Sequence, residues 1–328
     1  MFWSKTKTKI TCVGSVSKDA FFPNDEGIFV DTPEDLVSPK KVQFPLGGKI
    51  LVPDRYEDVG GVAANVAIGL SRLGHKSRIV SRRGDDMIGD FITNSLTADG
   101  VDISRLVTLK QTQSDLSAIL VFMQTGERTI FHNRDANEQL HVSEQDLRGT
   151  EWVFVSALNG EWQHNIDIIR ENKANLGYKI ALNPGQHNLK TDLSCMREFL
   201  KHVDVLVLNH EEAVLLLGSE HPELLTDEKT ILEALTKLGP NTIGLTDGSR
   251  GAWAYQNGTY AEQKPEHVER VVDSTGAGDS FASGFLAALL YNMSLETALT
   301  WGIKNSAANL KQYGATRGLL MKEDLLSL

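Results

Sequence analysis

Short apolar runs without polar alternation recur along this chain, each followed by a stretch with helical periodicity. The runs Ile10–Val16, Ser77–Ser81, Trp152–Ser156, Lys179–Asn183, Val203–Asn209 and Thr242–Thr246 are rich in Val, Ile and Leu. A strand with one wet face alternates apolar and polar residues, so runs like these suit strands covered on both faces. Val62–Leu73, Met87–Ala98, Trp162–Leu176, Glu211–Leu217 and Leu232–Leu238 carry apolar residues at helical spacing. Gly74, Gly100, Gly177, Gly218 and Gly239 follow these segments, where helix ends favour glycine. The alternation predicts an α/β fold: a mostly parallel sheet between two helical layers, joined by right-handed crossovers.

Two regions break the rhythm. Phe21–Asp58 is rich in proline and short β-prone pieces, and Ser117–Met123 and Thr129–Asn133 flank a Gln124–Glu127 turn as a hairpin would. Together, residues 21–58 and 115–134 are expected to form a small β lid on a single domain spanning 1–328. The other reading of these regions is a surface loop plus an extra edge hairpin.

The charge balance narrows the partners. Lys and Arg number 33 against 43 Asp and Glu, a net charge of −10. That surplus argues against a nucleic-acid or anionic-membrane surface, while leaving room for a local phosphate site. Two cysteines, Cys12 and Cys195, do not make a disulfide framework, which favours a reducing, cytoplasmic setting. No apolar run suited to a signal peptide follows the basic start MFWSKTKTKI, and none approaches the ~20 residues of a membrane span.

The segment Val271-Val272-Asp273-Ser274-Thr275-Gly276-Ala277-Gly278-Asp279 runs from an apolar stretch through a Gly-Ala-Gly turn into a helix expected over Asp279–Tyr291. Small turn residues let the backbone N–H groups of Gly276, Ala277 and Gly278 approach a ligand, and a helix start favours an anion. A phosphoryl group in transfer is such an anion, and Asp279 beside it can take the proton of an attacking hydroxyl. Read alone, Asp279 is equally an N-cap aspartate. A second segment, Gly60-Gly61-Val62-Ala63-Ala64-Asn65, opens a buried helix with a glycine pair. Asn65 is its polar anomaly, suited to a polyhydroxy ligand or to a structural hydrogen bond.

These two stretches resemble the paired signatures of the ribokinase-like (phosphofructokinase B) family of carbohydrate kinases, in the right order and over nearly the whole chain. Ser274 stands where that family usually has threonine. The resemblance implies a three-layer α/β/α fold with a lid, ATP as phosphate donor, Mg²⁺, and a small sugar or sugar-like substrate such as ribose, fructose or a sugar acid. A nucleoside kinase of the same fold is the alternative, with Phe21, Phe22 and Phe131 as possible base-stacking residues. A non-catalytic sugar or nucleotide sensor is a further rival, although both the base and the glycine turn are intact. A nicotinamide-dependent dehydrogenase would need a Gly-x-Gly-x-x-Gly after the first strand, where this chain has GSVSKD.

By the same resemblance, Asp19, Gly61 and Asn65 would hold substrate hydroxyls. Asn209 and Glu212 would help hold Mg²⁺ and phosphates through water, although Glu211 and Glu212 also read as first-turn helix acids. Thr246, Gly248 and Gly251 would form a nucleotide loop. Asp273 corresponds to a monovalent-cation (K⁺) ligand in some members, but Gly318 stands where a hydroxyl ligand is expected. Arg134 either reaches a carboxylate or phosphate on the substrate or is simply solvated. Lid edges that pair between subunits would give a homodimer. The motifs do not agree on a sugar: GGVAANVAIGLSRLG looks like fructokinases, ALNPG at 181–185 like ribokinases.

Overall fold

The computed structural model describes residues 8–32, 40–218 and 227–326. Residues 33–39 of the expected lid lie outside the described residues. The strands are β1 (Lys9–Val13), β2 (Ser17–Asn24), β3 (Ile28–Asp31), β4 (Lys40–Gln43), β5 (Tyr56–Gly60), β6 (Lys76–Gly84), β7 (Asp102–Leu109) and β8 (Leu116–Phe122). They continue with β9 (Arg128–Asn133), β10 (Trp152–Val155), β11 (Lys179–Leu182), β12 (Val205–Asn209), β13 (Thr242–Thr246), β14 (Ala252–Gln256) and β15 (Thr259–Gln263). The helices are α1 (Val62–Arg72), α2 (Met87–Ala98), α3 (Glu144–Leu147), α4 (Trp162–Leu176), α5 (Gly185–Thr191) and α6 (Leu193–Leu200). After them come α7 (His210–Leu217), α8 (Glu228–Thr236), α9 (Ala277–Leu290), α10 (Leu295–Asn309) and α11 (Lys322–Leu326).

Among the described residues, nine strands form one sheet in the order β15-β14-β13-β12-β11-β10-β1-β6-β7. From β13 to β7 every pairing is parallel, and the β14–β15 hairpin closes one edge antiparallel. The missing polar alternation now has its cause. Ile10, Cys12, Phe154, Ala181, Val205 and Val207 point into one core, with α1, α9 and α10. Their chain neighbours Val13, Val153, Val155, Ile180, Leu182, Leu206 and Leu208 enter the other core, with α4, α6, α7 and α8. With helices on both faces, successive residues are apolar because each side of the strand is dry.

The six predicted strands and five predicted helices all form, with ends shifted by a few residues. Helix α8 is displaced furthest, starting at Glu228 because the Asp227 side chain caps Thr230 N–H, rather than at Leu232. Gly177 ends α4 in the left-handed conformation, and Gly74, Gly100, Gly218 and Gly239 also have positive φ. The hairpin forms as β8 and β9, and β2 and β5 complete a separate four-stranded sheet in the order β5-β2-β8-β9. A two-stranded β3–β4 piece stands beside it, with Phe29 edge-on to Phe122 of β8. Among the described residues no helix is long and apolar enough to cross a membrane.

Candidate active site

The small sheet faces the carboxyl ends of β1 and its neighbours across a cleft of about 290 Å³, the end of an open α/β sheet where ligands bind. Asp19, Gly61, Asn65, Arg134, Gly276 and Asp279 all line this cleft. Asp19 and Arg134 come from the small sheet and its exit, whereas Gly61, Asn65, Gly276 and Asp279 meet because α1 and α9 pack side by side. The contact is close enough that a Cβ on Gly69 would lie 2.4 Å from Ser283 Oγ. Asn65 and Asp279 stand one turn earlier on the same stripes, and there Asn65 Nδ2 donates to Asp279 Oδ2 at 2.8 Å. Asn65 Oδ1 is buried and has no hydrogen-bond partner.

Helix α9 begins two residues before the expected start. Gly276 is its N-cap, left-handed at φ 73°, and Asp279 sits in the first turn. Asp279 is therefore not an N-cap, and its carboxylate is directed at Asn65. The amides of residues 276–279 are those a helix leaves without partners, apart from a long 3.4 Å contact of Ala277 N–H to the Ser274 carbonyl. Burial pushes the Asp279 pKa up to about 6; the Asn65 hydrogen bond and the Arg128 charge oppose this, and Asp19 adds to it.

The glycine pair makes room for the protein itself, and Gly61 also lines the cleft. A Cβ on Gly60 would lie 2.0 Å from Asp19 Oδ2, and one on Gly61, at φ 91°, would lie 2.5 Å from the Ser15 carbonyl. Asp19 lies in β2, opposite Asp58 of β5 and Ser117 of β8. Its Oδ1 accepts from Ser17 Oγ at 2.8 Å, and burial raises its pKa to about 6 despite bonds from Ser17 and Ser117.

Asn209 and Thr246 end adjacent strands as register partners, outside the cleft lining. Asn209 caps α7 by accepting from Glu212 N–H at 2.9 Å, while Glu212 Oε2 accepts from Asn209 N–H at 3.1 Å. The first-turn reading of Glu212 is thus correct as structure, but it leaves one carboxylate oxygen over. Burial, then the charges of Asp279 and Glu211, lift Glu212 to about 7. Among the described residues no three acids or histidines converge on a metal, so Mg²⁺ would find here only the spare Glu212 oxygen and would have to keep most of its waters. Gly248 and Gly251 shape a 3₁₀ turn after β13, at φ 47° and 111°.

Asp273 is fastened by the protein itself. It is fully buried, its Oδ1 accepts from the N–H and hydroxyl of Thr275, and its Oδ2 accepts from Gly314 N–H. Gly318 adds no side-chain oxygen, so any K⁺ here would rest mainly on backbone carbonyls.

One residue escaped the sequence reading. Arg128 opens β9, hydrogen-bonds Ser274 Oγ beside the glycine turn, and leaves its buried Nε without a partner. Strand alternation held the signal: Arg128, Ile130 and His132 share the face of β9 that lines the cleft, with Arg134 next in the series. The aromatic candidates fare differently. Phe21 is buried under the small sheet with Ile119 and Val121, and Phe131 lines a hollow on the other face, against Met87 and Ile88.

Known proteins share this family profile and fold. The profile of the pfkB family carbohydrate kinases matches residues 7–321. Ribokinase of Haemophilus influenzae is 27% identical over 297 residues, 86% of this chain and 91% of that protein. The 5-dehydro-2-deoxygluconokinase of Halalkalibacterium halodurans is 25% identical, covering 82% and 85% of the two chains. In fold, Arabidopsis thaliana ribokinase, solved with ribose and ATP, superposes with a TM-score of 0.78 over 98% of each chain at 19% identity. With the motif segments, the three-layer sheet and a profile match over nearly its whole length, the chain belongs to the pfkB family of carbohydrate kinases.

Proposed function

We propose that this enzyme transfers the γ-phosphate of ATP to a hydroxyl of a small sugar or sugar-like compound, with Asp279 as the base. The supporting observation is the divided amide of Asn65. Its nitrogen fixes the Asp279 carboxylate at 2.8 Å, while its buried oxygen lacks a donor. One substrate hydroxyl would supply that donor, which leaves a neighbouring hydroxyl beside Asp279 to give up its own proton.

In this reading Asp19 and Asn65 orient the polyol beside Gly61, and the attacking oxygen bonds to the γ-phosphorus as its proton passes to Asp279. The bond to the β-phosphate oxygen breaks and ADP departs. The amides of Gly276, Ala277 and Gly278 meet the charge on the equatorial oxygens, helped by Arg128. Thr246, Gly248 and Gly251 serve the nucleotide from the neighbouring strand ends. Mg²⁺, when bound, neutralises phosphate charge, and Asn209 and Glu212 would hold it through water. The small sheet acts as a lid that excludes water from the transfer. Its outer strand β9 has a free edge beside the exposed Phe131, so pairing of lids in a homodimer belongs to the same proposal. Cys12 and Cys195 are both free thiols, which suits the cytoplasm.

ADP release measured across sugars, sugar acids and nucleosides tests this reading. ADP formed in proportion to an added hydroxyl compound is expected. A nucleotide-bound structure with the terminal phosphate away from residues 276–279 would overturn it.

A further inference from the structure

One row of polar side chains crosses the small sheet. Asp19 of β2 stands opposite Ser117 of β8, and Ser117 stands opposite His132 of β9. All three line the cleft. Two interstrand spacings separate Asp19 from His132, roughly 10 Å, about the reach of a five- or six-carbon chain with a terminal group. Arg134 follows two residues after His132 and lines the same cleft. The row therefore begins with a carboxylate that accepts from hydroxyls and ends with groups that donate.

Arg134 is uncommitted. Its one hydrogen bond runs from Nη1 to Asn159 Oδ1 at 3.0 Å, and it makes no ion pair among the described residues. The acids near it in sequence hold backbone or amide N–H groups rather than its guanidinium. Asp115 Oδ1 accepts from the N–H groups of Asp135, Ala136 and Asn137, and its Oδ2 from Asn137 Nδ2. Asp135 accepts from Gln113 N–H, and Glu138 from Gly160 N–H. In a chain of net charge −10, a guanidinium left without a carboxylate beside a polyol site asks for an acidic ligand.

We propose that the substrate is a polyhydroxy acid, bearing one carboxylate or phosphate, and that Arg134 with the neighbouring His132 holds that acidic group. This rests on the phosphotransferase reading above and names the substrate class for it. The test measures ADP release with D-gluconate, 2-keto-3-deoxy-D-gluconate, D-fructose 6-phosphate, D-ribose and inosine. Wild type, Arg134→Gln and Arg134→Lys are compared. The wild type should favour an acidic compound over the neutral ones by at least about 10-fold in kcat/KM. Arg134→Gln should reduce that preference by about 10- to 100-fold, chiefly through KM, and Arg134→Lys should keep part of it. Which acids work separates carboxylate from phosphate. Preference for ribose or inosine, or a preference unmoved in Arg134→Gln, overturns the inference and leaves the kinase standing. If no compound releases ADP, calorimetric titration with the three acids decides. Binding that Arg134→Gln abolishes keeps the acidic ligand and removes the kinase reading, whereas no binding removes the acid site.

Discussion

Helices α1 and α9 both begin at glycine turns and both bury small residues, yet their first turns serve different ends. At α1 the glycines answer to the protein: Gly60 makes room for the Asp19 carboxylate and Gly61 for the Ser15 carbonyl. At α9 only Gly276 does so, its Cβ position lying 2.5 Å from that of Ala315, whereas a Cβ on Gly278 would meet nothing within 4 Å. A glycine that internal packing does not require points to something outside the protein. The same glycine-rich look in sequence thus covers a fitted joint at one helix and an open anion cradle at the other.

The comparison breaks most severely at Asp279. Asp279→Asn should lower kcat by about 10²- to 10⁴-fold while leaving ATP affinity nearly intact, measured by steady-state kinetics and nucleotide titration. The same variant carries a stability signature. The native pKa near 6 lies above the ordinary carboxylate value, so the charged form costs stability above pH 6 and the cost is gone below about pH 4. Asp279→Asn should therefore melt higher than wild type at pH 8 and alike at pH 4.

The glycine contrast is sharpened by a pair of substitutions. Gly61→Ala should destabilise the fold by roughly 2–4 kcal/mol, since it combines a positive φ with a clash against backbone. Gly278→Ala should leave the melting temperature unchanged or slightly raised, because alanine favours the helix and the space is empty. It should still cut kcat/KM by about 10-fold or more by crowding the phosphate. Equal effects of the two on stability would erase the distinction.

Asn65 joins the two helix starts, and its removal should act on pH dependence. A base with a pKa near 6 gives kcat/KM an acid limb there, shared with Asp19, which titrates in the same range. Asn65→Ala deletes the hydrogen bond that favours the Asp279 carboxylate, so the limb should move toward neutral pH. A limb that stays in place would show that Asn65 does not tune the base. The smallest effect is expected at Asp273, whose bonds fasten Thr275 and Gly314. Asp273→Asn should lower the melting temperature by a few degrees, with activity equal in Na⁺ and K⁺ buffers.

Much of this was legible because its causes are local. Apolar runs flanked by glycine stops announced the parallel sheet, and the Thr246 and Asn209 motifs fell at strand ends as expected. The β14–β15 hairpin and β7 went unseen. Asp102–Leu109 is an edge strand of mixed polarity, and the short Ala252–Gln256, although buried on both faces, lacks the Val, Ile and Leu that marked the other runs. Arg128 was missed because a cation in a hairpin strand gains meaning only once its face is known. That Thr275 and Gly314 donate to Asp273 was equally hidden, because a carboxylate in a motif does not reveal its partners.

By itself the sequence determined the layered α/β framework, the glycine turn at the start of α9 and the carboxylate that follows it, because periodicity and turn chemistry depend on residues near in the chain. Tertiary structure decided that Asn65 should meet Asp279 across 214 positions, that Asp19 belongs to the small sheet, and that Arg134 makes no ion pair among the described residues. Those outcomes follow from how closely α1 and α9 pack and which strands pair, and packing of that kind is fixed by contacts between segments that are remote in sequence.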